Sequence, residues 1–63
     1  MQFTLEALRV NRGMTQQDVA DRLGISRFTV MKWENGANKP KDIAIYALAK
    51  LYDVDVGDIR VPV

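Results

Sequence analysis

At 63 residues the chain is one domain, small enough that efficient packing or a second subunit must make up for a modest core. It contains no Cys and no His, which removes disulfides, thiolate metal sites, a nucleophilic thiol and an imidazole proton carrier together. The net charge of +1 argues nothing about partners by itself; no apolar run has the length of a membrane span and no signal peptide opens the chain, so the expected setting is cytoplasmic.

Met1, Gln2 and Phe3 form a short extended lead-in. Thr4 is the natural cap of a first helix that turns Leu5 and Leu8 inward, carries Glu6 at the positive end of its dipole and stops at Gly13. Thr15 then caps a helix over 16–23, with Asp18 three residues on as a short capping box and Val19, Ala20 and Leu23 at helical spacing. Gly24 ends it in the left-handed conformation that only Gly adopts at little cost. Ser26 caps a third helix over 27–35, whose inner face is Val30 and Trp33, and Gly36 ends that one. Ala20 is small where the two helices cross. Two short amphipathic helices around a tight turn make the layout of a helix-turn-helix.

A polar connection over 37–40 leads to a fourth helix over 42–52. One of its stripes, Ile43, Ala44, Ala47, Leu48 and Leu51, suits a single core. A second, Ile45, Ala49 and Tyr52, falls on nearly the opposite side at i, i+4, i+7. One small core cannot wrap a helix all round, so either the C-terminal segment or another subunit covers the second stripe. The latter makes Ile45, Ala49 and Tyr52 the expected interface of a homodimer. Asp55 and Asp58 suggest a capped fifth helix, followed by an extended tail over 59–63 in which Pro62 restricts any strand to an edge. The expected fold is all-α, a compact five-helix bundle with short extended terminal segments.

No constellation suggests an enzyme. Asp53, Asp55 and Asp58 with Gly57 bear a faint likeness to a calcium loop, but the ligand series is incomplete and its terminal bidentate Glu is missing. No metal or cofactor is expected. Charge is more informative in its distribution: residues 22–41 carry Arg22, Arg27, Lys32, Lys39 and Lys41 against Glu34 alone, whereas 42–63 carry Asp42, Asp53, Asp55 and Asp58 against Lys50 and Arg60. A solvated surface explains such a run blandly; its concentration on the third helix and the loop after it favours a phosphate-facing one. On a helical wheel Phe28 and Lys32 point away from Val30 and Trp33, with Arg27 and Thr29 flanking at the N-terminal end and Met31 at the core edge. Arg can grip guanine O6 and N7, and Phe and Thr methyl groups can pack on a thymine methyl. Arg27, Phe28, Thr29 and Lys32 are therefore the candidate base readers, against the plainer reading of Phe28 as a ring folded back on its own helix.

From residue 5 to 59 the chain resembles the lambda-type repressor and Cro helix-turn-helix family, also called the XRE family. The resemblance is carried by Arg9, Gly13, Met14-Thr15-Gln16-Gln17, Ala20, Leu23-Gly24-Ile25-Ser26, Val30, Trp33, Glu34-Asn35-Gly36, Pro40 and Leu48-Ala49-Lys50. It implies a DNA-binding transcriptional regulator, most simply a repressor acting as a homodimer on double-stranded DNA with the third helix in the major groove. It also implies phosphate contacts from Gln16, Gln17, Ser26, Asn35 and Asn38, joined here by Lys39 and Lys41, and an ion pair between Arg9 and Glu34. Gln16, at a helix N-terminus, suits an anion even without the family. Lys41 departs from the pattern, standing where the family usually has a Ser or Thr cap. Two other roles fit the same residues: an antitoxin that binds a protein partner as well as DNA, or a protein-interaction module whose basic face is incidental.

Overall fold

A computed structural model describes residues 1–61 of the chain. The order is β1 (Phe3–Thr4), α1 (Leu5–Asn11), α2 (Gln16–Leu23), α3 (Arg27–Asn35), α4 (Asp42–Tyr52), a 3₁₀ turn (Val56–Asp58) and β2 (Ile59–Arg60). Each of the first three helices begins where a hydroxyl is available. Thr4 Oγ1 accepts from the Ala7 amide at 3.1 Å and Ser26 Oγ from the Thr29 amide at 3.2 Å. At α2 the capping box closes in both directions, Asp18 N to Thr15 Oγ1 at 3.0 Å and Thr15 N to Asp18 Oδ2 at 2.8 Å. The Thr15 amide, and then its hydroxyl, hold the Asp18 carboxyl below the usual carboxylate range, so this cap weakens as pH falls through that lowered value. Gly24 and Gly36, at φ 70° and 82°, end α2 and α3 in the left-handed region. Lys41 precedes α4 with no side-chain cap bond, which leaves that helix start the least secured.

Among the described residues four α-helices form, not the expected five. The expected fifth is a three-residue 3₁₀ turn, and Asp55 makes no side-chain cap bond to it. The reason lies at the other end of the chain: Ile59 and Arg60 are drawn into a parallel pair with Phe3 and Thr4, which leaves no length for a helix. The two segments expected as loose extended ends thus close the fold together. Pro62 and Val63, and the edge restriction expected of Pro62, lie outside the described residues.

The core gathers Leu5, Leu8, Val19, Ala20, Val30, Leu48, Ala49, Tyr52 and Ile59, with Trp33, Ile25, Leu23 and Met14 packed at its margin. Ala20, fully buried, lets α2 and α3 approach closely. The facing of α4 differs from expectation. Ala49 and Tyr52 are buried within their own protomer and Ile45 is packed against the same core, so Ala49 and Tyr52 offer no surface to a second copy. Ile43 and Ala47, expected inside, are exposed. The helix is seated on its 45, 48, 49, 52 face, and Ile59 on β2 belongs to the core it seats against.

Two arginines tie the helices together. Arg9 on α1 grips Glu34 on α3 with Nε–Oε2 at 2.7 Å and Nη2–Oε1 at 3.2 Å, while its Nη1 donates to the Met14 carbonyl at 2.9 Å. Gln16 at the start of α2 donates to Glu34 Oε1 at 3.1 Å. The Glu34 hydrogen bonds raise the Arg9 pKa above its ordinary value against the opposing effect of burial. Arg12 reaches from the end of α1 to the Tyr52 carbonyl at 3.2 Å and lies 3.4 Å from Asp53, satisfying the C-terminus of α4.

The Arg9–Glu34 pair is 12% and 6% exposed at its side chains, so removing either partner strands a buried charge. Arg9→Ala and Glu34→Ala should each cost about 3–5 kcal/mol, enough to unfold most of a domain this small. Urea unfolding in a stabilising osmolyte should find the double variant less damaged than the sum of the singles; strict additivity of small effects refutes the bridge. A second expectation concerns Tyr52, whose phenol is pushed up to about 12, first by burial and then by the Glu34 carboxylate. The unfolded phenol ionises near pH 10 and the folded one later, so stability held below pH 10 is lost between pH 10 and 12, by up to roughly 3 kcal/mol. Tyr52→Phe should flatten that part of the stability–pH curve.

Candidate nucleic-acid interface

With Val30 buried and Trp33 packed against the core, α3 presents its opposite side to solvent. Five of its side chains are exposed: Arg27, Phe28, Met31, Lys32 and Asn35. They follow one another at helical spacing as a continuous stripe. Phe28 is 60% exposed, an aromatic left in water at the head of the helix. It is not alone there, since the Arg27 guanidinium carbon lies 5.6 Å from its ring centroid. Such a cation–π contact is worth about 0.5–1 kcal/mol at an exposed site, enough to bias the direction of an otherwise free Arg side chain.

Thr29 sits differently from the other three expected readers. It is half-buried, and its hydroxyl shares a 3.0 Å hydrogen bond with the Ser26 hydroxyl, which is itself engaged in capping α3. The mutual bond uses one of the two O–H donors, so the other hydroxyl keeps its proton for an acceptor outside the pair. Met31 takes the place in the stripe that Thr29 does not fill. Its position one turn after Arg27 was the available signal, outweighed by the usual preference of Met for a core edge.

A groove between the start of α2 and the head of α3 is lined by Arg9, Met14, Thr15, Gln16, Gln17 and Arg27. It brings Gln16, Gln17 and Arg27 to one concave place. The two glutamine amides are engaged, Gln16 with Glu34 and Gln17 with Asp21 Oδ1 at 2.8 Å. Beyond α3, the Asn35 side-chain oxygen accepts the Ala37 amide at 2.9 Å, and the Asn38 amide donates to the Lys32 carbonyl at 3.2 Å. These bonds shape the turn that carries the exposed Asn38, Lys39 and Lys41. Among the described residues no three His, Cys, Asp or Glu side chains cluster as metal ligands do.

The general family model "Helix-turn-helix" matches residues 5–59. An uncharacterized HTH-type transcriptional regulator of Methanocaldococcus jannaschii is 34% identical over 59 residues, 94% of this chain and 89% of that protein. The cryptic phage CTXphi transcriptional repressor RstR of Vibrio cholerae is 35% identical over 52 residues, 82% of this chain and 47% of the repressor. The HTH-type transcriptional activator BcrR of Enterococcus faecalis is 29% identical over 55 residues, 87% of this chain and 27% of the activator. The chain thus spans about half of one of these bacterial relatives and about a quarter of the other. No solved structure matches it.

Because Arg27 and Phe28 are exposed and outside the buried core cluster, alanine at either should change unfolding free energy by less than about 1 kcal/mol. Thermal melts of both variants check this; a loss of ~3 kcal/mol at Phe28 is the scale of a buried aromatic and contradicts its outward placement.

Proposed function

The chain belongs to the helix-turn-helix family, and from that premise we propose that it is a sequence-specific DNA-binding regulator of transcription. In this reading it acts as a repressor and a homodimer, with α3 in the major groove of each half-site. The observation that carries it is the outward stripe of α3, which joins two cations and an aromatic in one exposed row. Arg27 and Lys32 supply donors for guanine edges, Phe28 an apolar surface for a thymine methyl, and Met31 and Asn35 complete the contact strip. With Arg27 stacked on Phe28, the pair reads adjacent bases as a unit rather than one base each.

Affinity comes from a different set. Lys39 and Lys41 in the turn, with Asn38, meet phosphates on one side of the helix. Gln16 and Gln17 in the groove meet them on the other, exchanging their present partners for phosphate oxygens. Arg9 stays inside, holding the helix that reads. A single α3 covers only a few base pairs, so useful specificity calls for two copies on half-sites about one helical turn, roughly 34 Å, apart. Repression is favoured over activation because the match to the repressor RstR takes in a larger share of that protein than the match to the activator BcrR does of its own.

The test is selection of bound duplexes from a random pool, followed by a binding series against every single-base variant of the selected site. Arg27→Ala and Phe28→Ala should relax preference at neighbouring base pairs by roughly 1–3 kcal/mol, with the double variant losing less than the sum. Lys39→Ala and Lys41→Ala should weaken selected and random duplexes alike and lower the salt slope by about one unit each. No enrichment of any sequence, with binding insensitive to salt, refutes the proposal.

A further inference from the structure

The seating of α4 leaves an outward stripe with a definite pattern. Asp42, Ile43, Tyr46, Ala47 and Lys50 are all exposed, Ile43 at 81% and Tyr46 at 65%. Their spacing places them on one side of the helix, opposite the buried Leu48, Ala49 and Tyr52. The middle of the stripe is apolar, and its two ends carry opposite charges. Asp42 and Lys50 stand at equal sequence distance on either side of Tyr46.

We propose that this stripe binds a second copy of the chain, α4 packed antiparallel on α4 about a two-fold axis beside Tyr46. The proposal rests on the homodimer reading above and assigns its surface. A two-fold interface must be complementary to itself, so that whatever one residue meets, its copy meets in return. Antiparallel packing satisfies this with the charges in hand: Asp42 of each copy meets Lys50 of the other, and the two helix dipoles oppose. Ile43 and Ala47 of each copy then close over the Tyr46 rings. Parallel packing sets Asp42 against Asp42 and Lys50 against Lys50, and is excluded by repulsion. A partner of another kind has no need of charges balanced about one residue.

From residue 42 to 50 the helix rises only about 12 Å, so the contact lies below the standard interface size and association in free solution is weak. Two half-sites on one duplex raise the effective concentration and make the dimer persistent there.

Sedimentation of the free protein at hundreds of micromolar, and of its complex with a two-half-site duplex, gives the reference dimer. Asp42→Lys and Lys50→Asp each bring like charges together and should weaken self-association at least tenfold. Combining them restores opposite pairing and should restore the dimer, which a variant damaged in folding does not do. The native chain has no Cys, so a Tyr46→Cys variant supplies a single thiol beside the axis. On the duplex under mild oxidant it should give disulfide-linked pairs, whereas a Val10→Cys variant, exposed on α1, should not. A dimer indifferent to both charge reversals and to the position of the thiol places the interface elsewhere and overturns this assignment while leaving the homodimer reading intact. A wild-type chain that stays monomeric free and on the duplex removes both.

Discussion

The Arg9–Glu34 contact is the constraint on which the other elements depend. A buried ion pair repays its desolvation only when geometry is good and the remaining donors and acceptors are matched. Both conditions hold here: the guanidinium meets the carboxylate through two nitrogens, its third nitrogen goes to the Met14 carbonyl, and Gln16 takes a second bond to Glu34 Oε1. Among the described residues no buried side-chain nitrogen or oxygen is left without a partner. One carboxylate on α3 is thereby tied to α1 and to the start of α2. Because Glu34 lies one residue after Trp33 and one before Asn35, fixing it fixes the rotation of α3, and so which side chains face outward.

Around the hydrophobic core, helix caps and closing contacts add stability in a chain this small. Hydroxyl caps start α1, α2 and α3, glycines end α2 and α3, and Arg12 closes the C-terminus of α4 from the end of α1. Parallel pairing of β1 with β2 joins residues near the two ends of the described chain, a closure whose loop entropy is repaid by burial of Ile59. The weakest start, at Lys41, follows the turn that carries Lys39 and Asn38. A cap there would add stability, whereas a lysine adds a cation where the polar turn faces solvent. The sequence has chosen charge over capping at that position.

The polar and apolar surfaces are also divided by element. The stripe on α3 mixes cations with Phe28 and Met31, and the stripe on α4 is apolar between opposite charges. Each is exposed because the other side of its helix is committed to the core. Arg27 over Phe28 shows how an exposed aromatic is accommodated without burial: the guanidinium covers one ring face and is itself oriented by it.

By itself the sequence determined where α2 and α3 begin and end, because caps act over three or four residues. Thr15, Gly24, Ser26 and Gly36 place the bounds of α2 and α3 without reference to anything distant. It also determined that Val30 and Trp33 face inward, since α3 is polar enough on its other side for the pattern to be read. The facing of α4 was not legible, because apolar residues surround that helix and only its neighbours decide which of them are buried. Tyr52 and Ala49 went inside and Ile43 outside once Ile59 on β2 completed the core. The same pairing reduced an expected fifth helix to a 3₁₀ turn, a choice made by Phe3 and Thr4 more than fifty residues away. Partners across space were likewise decided only in three dimensions, as with the Gln16 amide on Glu34 and the Arg12 guanidinium on the Tyr52 carbonyl. Local chemistry fixes the elements; the order in which distant side chains compete for one small interior fixes their faces.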